Sequence, residues 1–238
     1  MGNKLPTIEI ICLANSRKLL GRCIAGLRTD GKGWIRPVSE SPDGTLFLSN
    51  YTLKDGSEAR VLDVVRIEFT KPRPEIYQPE NWVISNTHWK LIERPASFEQ
   101  QRIFHAFIVQ GPELFGDQSD RICAKVLSEA PAKSSLGLVI PDEIEWTVTK
   151  NIKGRRQIRA LFNLRSAPYN LGITDPILEQ YLRQRPFGNY PIDSIGLKKN
   201  DKLLLTISLG EPFQGDCYKL VTSVLLLKGR TWCHLPLP

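Results

Sequence analysis

Residues 11–39, ICLANSRKLLGRCIAGLRTDGKGWIRPVS, read as successive β-strands that carry Arg17, Lys18, Arg22 and Arg36. The run opens inside TIEIICL at 7–13, dense in apolar and β-branched residues as in a buried strand. After SRKLLG, the segment GRCIAGLR at 21–28 resumes the strand pattern, TDGKG at 29–33 supplies turn chemistry, and WIRPV at 34–38 is a third strand. Pro37 favours an edge or a strand end there. Three such strands in order make a meander. Side chains alternate across a strand, so Arg22, Ile24 and Gly26 share one face while Cys23, Ala25 and Leu27 share the other. The small apolar Cys23/Ala25/Leu27 face is the expected barrel interior. Arg22 then lies outside, with Trp34 and Arg36 beside it on an exposed cationic face.

Around this meander the chain has 238 residues, enough for one large domain or two small ones. Hydrophobic residues at 41% and charged residues at 24% are ordinary for a folded protein and exclude an extended disordered chain. The formal charge of +7 favours a polyanionic partner, because each neutralised phosphate releases counterions. The five cysteines, at 12, 23, 123, 217 and 233, are scattered and without a CxxC pair, which points to a reducing cytoplasm rather than a disulfide framework. His88, His105 and His234 form no metal-ligand spacing, so neither metal nor cofactor is expected. No apolar run reaches the length of a membrane span, and no signal peptide is expected from the start of the chain.

Further strands are expected in ARVLDVVRIEFTKPRP at 59–74, LGLVI at 136–140, IEWTVTKN at 144–151, RRQIRALFNL at 155–164, DKLLLTISLG at 201–210 and CYKLVTSVLLL at 217–227. SFEQQRIFHAFIVQG at 97–111 has helical spacing, with Ser97 and Gln100 forming a capping box before Gly111-Pro112 stops it. A second helix is expected from Asp175, an N-cap followed by Pro176 at the first helical position. The turn with Asp63 before VVRIEF and the turn with Asp201 before KLLLTISL form a faint internal echo. The fold class is mainly β: two OB-like small barrels at 1–94 and 131–238, joined by a central helical connector at 95–130.

CLANSRKLLGRCIAG at 12–26, GWIRPVS at 33–39, VLDVV at 61–65, YNLGITDP at 169–176 and ISLGEPFQGDCYKLV at 207–221 occur in order across nearly the whole chain. In this combination the sequence resembles the bacterial proteins described as dual OB domain-containing. The resemblance implies two five-stranded barrels whose exposed face and loops hold single-stranded nucleic acid or another polyanion. It supplies no reaction and no catalytic residue.

Two cationic groups are candidate phosphate contacts: Arg17, Lys18, Arg22 and Arg36 in the meander, and Lys153, Arg155, Arg156 and Arg159 in a turn and the strand after it. Guanidinium forks bind phosphate bidentately. Trp34 and Tyr169 are candidate base-stacking rings. The alternative is structural: arginines paired with Glu9, Asp30, Asp63 or Glu68, a core Trp34, and a solvated hairpin. Asp175, Glu211 and Asp216 are the acids that an enzyme acting on nucleic acid would need to gather around a metal, although they read more simply as a cap and turn residues. The expected role is non-catalytic nucleic-acid binding, single-stranded DNA or RNA favoured. A protein partner is also compatible with the sequence, and an adaptor would show a large exposed apolar patch instead of a basic groove.

Overall fold

The computed structural model describes residues 5–151 and 153–235. The chain is mainly β, with 50% of its residues in strands and 14% in helices. The N-terminal part runs β1 (Thr7–Lys18), β2 (Gly21–Arg28), β3 (Trp34–Val38), α1 (Leu48–Tyr51), β4 (Val64–Pro72), β5 (Asn81–Ile84) and β6 (Lys90–Glu93). Its ladder goes β1-β2-β3-β5-β4, and β4 pairs back onto β1 to close a five-stranded barrel. Only β3 and β5 run parallel, with Arg36 opposite Asn81. This is the OB strand order. A bulge between Cys12 and Ala14 bends β1, so that Thr7–Ile11 pairs with β4 while the strand continues along β2. Ile10, Ile24, Ile35, Ile67, Phe69 and Trp89 fill the barrel.

The expected capping box holds: Ser97 Oγ accepts from Gln100 N while Gln100 Oε1 accepts from Ser97 N. Its helix is a single turn, α2 (Phe98–Gln101), which tightens into a 3-10 helix at Arg102–Phe107. There follow β7 (Arg121–Cys123) and α3 (Ala124–Glu129). The second β unit comprises β8 (Leu136–Val139), β9 (Glu143–Lys150), β10 (Arg156–Leu164), β11 (Ala167–Ile173), α4 (Pro176–Arg183), β12 (Gly188–Pro191), β13 (Leu203–Phe213), β14 (Asp216–Lys228) and β15 (Thr231–His234).

The second unit repeats the ring of the first. The order β9-β10-β11-β14-β13-β8 reproduces the first ring, again with one parallel pair, β11 and β14. The difference lies in its first strand, which is split at residues 140–142 into β8 and β9. Pro141 sits in the gap, where a residue without N–H cannot continue a ladder. Chain continuity, not hydrogen bonding, closes this ring. Strand β13, which follows Asp201, takes the place that β4, which follows Asp63, takes in the first barrel.

One expectation about the meander is overturned. Ile24, not the Cys23/Ala25/Leu27 face, points into the barrel, while Ala25 and Leu27 point outward and are nevertheless 0% exposed. They are covered by the second unit. Leu27, with Ile11 and Leu13, packs against Leu138, Leu204, Leu225 and Trp232, and Ala25 packs against Leu136. Polar contacts reinforce this seam: Ser223 Oγ donates to Leu13 O (2.5 Å), Arg17 N to Thr174 O (3.1 Å) and Gln78 Nε2 to Leu209 O (3.0 Å).

Candidate nucleic-acid interface

The register places Gly26 opposite Ile35 and Leu27 opposite Trp34, so Arg36 is not brought to Arg22, whose ladder partner is Arg17. Nor is Arg36 exposed. At 2% exposure it points outward from β3 into the seam, where Nη2 donates to Ser135 Oγ (2.8 Å) and Ser208 Oγ (3.2 Å), and Nη1 contacts Cys23 Sγ (2.9 Å). Ser135 in turn donates from Oγ and N to the Glu80 carboxylate (2.8 and 2.7 Å). Arg36 therefore ties the two units together, and its assignment as a phosphate contact on an exposed face is corrected. Trp34 is half-buried, edge-on to Phe107 at 6.3 Å. Lys18 is held by Glu211 (2.7 Å) and the Asp43 carbonyl, and Arg17 faces Glu179 at 3.5 Å. Of the four, Arg22 and Arg36 have no ion pair among the described residues, and of these two only Arg36 is buried.

OB barrels bind oligonucleotides on the face of their second and third strands and on the loops beside it. In the first barrel that face carries the second barrel. In the second barrel the equivalent face, β10 and β11, is open. Ile158, Ala160, Phe162 and Leu164 alternate inward, while Gln157, Arg159, Leu161 and Asn163 alternate outward and are only partly buried. Arg159 is anchored on this face by Nε donation to Asn170 Oδ1 (2.6 Å) and an ion pair with Asp120 (3.4 Å). Tyr169 has the opposite parity. It is 4% exposed, stacks on Phe162 with centroids 5.4 Å apart, donates its hydroxyl to Pro112 O (2.6 Å) and accepts from Leu114 N (3.1 Å). Burial pushes its pKa up. Tyr169 is thus a core residue and not a stacking platform, the second correction.

The β9–β10 turn is the counterpart of the β1–β2 turn. Asn151 Oδ1 accepts from Lys153 N (2.9 Å) and Arg155 N (3.0 Å), and Gly154 adopts φ 71°, which only glycine takes readily. Lys150, Lys153, Arg155 and Arg156 are exposed. None of the four has an ion pair among the described residues. Beside them Phe187 is 50% exposed, with the Arg156 guanidinium 4.4 Å and the Lys150 ammonium 5.1 Å from its ring centroid. Arg156 Nη1 also donates to Arg185 O (2.6 Å). The result is a cationic turn next to an aromatic ring.

A family model described as a dual OB-containing domain matches residues 8–224. The chain belongs to that family. No curated protein matches it. Solved structures that align with it include the Ifi202 HINa domain in complex with 20-bp double-stranded DNA, at TM-score 0.33 and 10% identity over 94% of this chain and 96% of that one. Others are the tetrameric p202 HIN2, at 0.30 and 8% over 94% of each chain, and the p204 HINb domain, at 0.34 and 10% over 92% and 97%. At such scores these likenesses carry no argument.

The three acids of the dual OB domain stay apart. Asp175 is the α4 cap, accepting from Ile177 N (2.9 Å), Leu178 N (3.3 Å) and Val224 N (3.0 Å) and facing His234 Nε2 (3.1 Å). Glu211 binds Lys18, and Asp216 faces Arg121 at 3.6 Å. Among the described residues no three His, Cys, Asp or Glu side chains converge, and no helix is long and apolar enough to cross a membrane. Phe187 was not singled out from sequence. Strand β12 brings it to the site by pairing Gly188 with Val148 on β9. The only local signal was a large aromatic set between Pro186 and Gly188, outside any apolar pattern.

Proposed function

We propose that this dual OB domain binds nucleic acid without catalysis, through the β9–β10 turn and the open β10–β11 face, and prefers single strands. The observation that carries this reading is Phe187, half exposed and flanked by Lys150 and Arg156, with Lys153 and Arg155 alongside. An exposed ring accepts an unpaired base, a contact worth about 1–3 kcal/mol, and a duplex offers no such base in mid-helix. The cations supply the backbone attraction. A reducing cytoplasm fits five cysteines that are all free.

The test is binding of labelled single-stranded and duplex oligonucleotides at several salt concentrations. If four phosphates are engaged, log affinity against log salt has a slope of about −3 for a single strand, and Lys153→Gln with Arg155→Gln makes it shallower by about 1.4. Phe187→Ala weakens single-strand binding by about tenfold or more and duplex binding less. No binding at about 50 mM salt, where phosphate contacts are strong, sinks the proposal, as does wild-type affinity in these variants.

A further inference from the structure

A separate cleft of about 530 Å³ opens along the seam, between β1, β2 and the segment at 56–61 on one side and the start of α4 with His234 on the other. Its wall holds two cations of the first barrel, Arg22 and Arg60, neither in an ion pair among the described residues. Asn15 lines it too. Its Nδ2 donates to Ala59 O (2.8 Å), but its Oδ1 is buried with no hydrogen-bond partner, and a buried orphan acceptor costs about 1–3 kcal/mol. The start of α4 adds no free donors toward the cleft, since Asp175 takes the Ile177 and Leu178 N–H groups. Among the described residues Glu58 is the one acid in the lining, and His234 is engaged with Asp175, so the lining carries two arginines against one glutamate.

We propose that this cleft is a binding site for a nucleotide: a phosphate ester held by Arg22 and Arg60, with the Asn15 side chain turning its Oδ1 out to accept from an adjacent N–H or O–H group. Two guanidinium forks supply bidentate donors for a phosphate. The orphan oxygen demands a donor, which inorganic phosphate in its dianionic form lacks and a base or sugar has. The volume falls in the range of small-molecule sites, about 300–1,000 Å³. Because one wall comes from each barrel, the ligand also bridges the seam. The source is either a free nucleotide or the phosphorylated end of a strand, which share this chemistry. None of the β9–β10 turn residues takes part, so the site stands or falls apart from the turn surface.

Calorimetry on the full chain with adenosine 5′-monophosphate is the test, with inorganic phosphate and oligothymidylates bearing either a 5′-phosphate or a 5′-hydroxyl as parallel probes. The expected result is measurable mononucleotide binding that weakens at least tenfold in Arg22→Gln and in Arg60→Gln and is unchanged by Lys153→Gln with Arg155→Gln. Displacement of the mononucleotide by the 5′-phosphorylated strand alone identifies a strand end as the source, and failure of either strand to displace it identifies the free nucleotide. Both cationic side chains sit at or near the surface, and an unchanged melting temperature establishes that the variants fold. The site is overturned if the mononucleotide does not bind, if Arg22→Gln and Arg60→Gln bind it as wild type does, or if inorganic phosphate binds equally tightly.

Discussion

The two barrels share a strand order but put the same face to opposite uses. On β2 of the first barrel the outward residues Cys23, Ala25 and Leu27 are apolar, and that face is sealed by the second barrel. On β10 the outward residues Gln157, Arg159, Leu161 and Asn163 are mostly polar, and the face stays open. A strand apolar on both faces is a strand with two buried sides, so the composition of the outward positions decides which barrel can meet a ligand. The turns follow the same logic. In the first barrel two of the cations are taken by Glu179 and Glu211 of the second, whereas the second barrel's turn has no such neighbour among the described residues.

The largest expected contrast is at one glycine in each barrel. A Cβ on Gly26 of β2 falls 2.2 Å from Ile11 O, a backbone atom that cannot yield without opening the β1–β2 ladder, whereas on Gly172 of β11 the nearest atom is Leu220 Cδ2 at 3.4 Å. Gly26→Ala is expected to cost about 3 kcal/mol and Gly172→Ala within about 0.5 kcal/mol. In thermal unfolding the first lowers Tm by about 6–12 °C and the second by little. Equal shifts break the contrast between a glycine against backbone and one with room for a methyl group.

Arginine removal probes the sealed and open faces directly. Arg36→Ala empties a buried site and strips charged donors from Ser208 and Ser135, for about 2–3 kcal/mol. Arg159→Ala, on the open face with Asn170 and Asp120, costs about 1 kcal/mol, as a partly exposed pair does. Denaturant midpoints with unchanged m values measure both.

The helices between the third and fourth strands differ in the same sense. Asp175→Ala removes the α4 cap and leaves the buried Val224 N–H unpaired, about 2 kcal/mol in all, while Asn50→Ala at exposed α1 costs about 0.5 kcal/mol. Urea unfolding of the two variants compares them.

The smallest effect is acid loosening of the first barrel. The Arg28 guanidinium holds Asp30, and the Thr45 hydroxyl and N–H hold Asp43, at a pKa of about 2. Both values are depressed, so the stabilisation is present above the ordinary aspartate pKa, about 3.9, and is lost as pH falls toward 2. Amide protection relative to the intrinsic exchange rate, followed from pH 4 downward, is expected to fall in β3 before β10. Simultaneous loss removes this distinction between the barrels.

Much of this was readable from the chain. The β class, the Ser97/Gln100 capping box and the Asp175-Pro176 helix start each rest on residues a few positions apart. The β9–β10 turn was legible too, because Asn151 and Gly154 shape it locally. What misled was parity: alternation says which residues share a face, but not whether that face meets the barrel core, a second barrel or solvent. Tyr169 and Arg36 were misplaced for that reason, and Phe187 was missed because strand pairing, not nearness in sequence, brings it to Lys150 and Arg156.

By itself the sequence determined where strands and helices start, and that cations recur at the first turn of each barrel, because those signals are local interactions. Only the tertiary structure decided which of the two cationic turns is engaged by the other barrel. Burying the apolar outward face of β2 requires a partner surface, and among the described residues that surface is the other barrel, whose Ser135, Ser208, Glu179 and Glu211 then claim Arg36, Arg17 and Lys18.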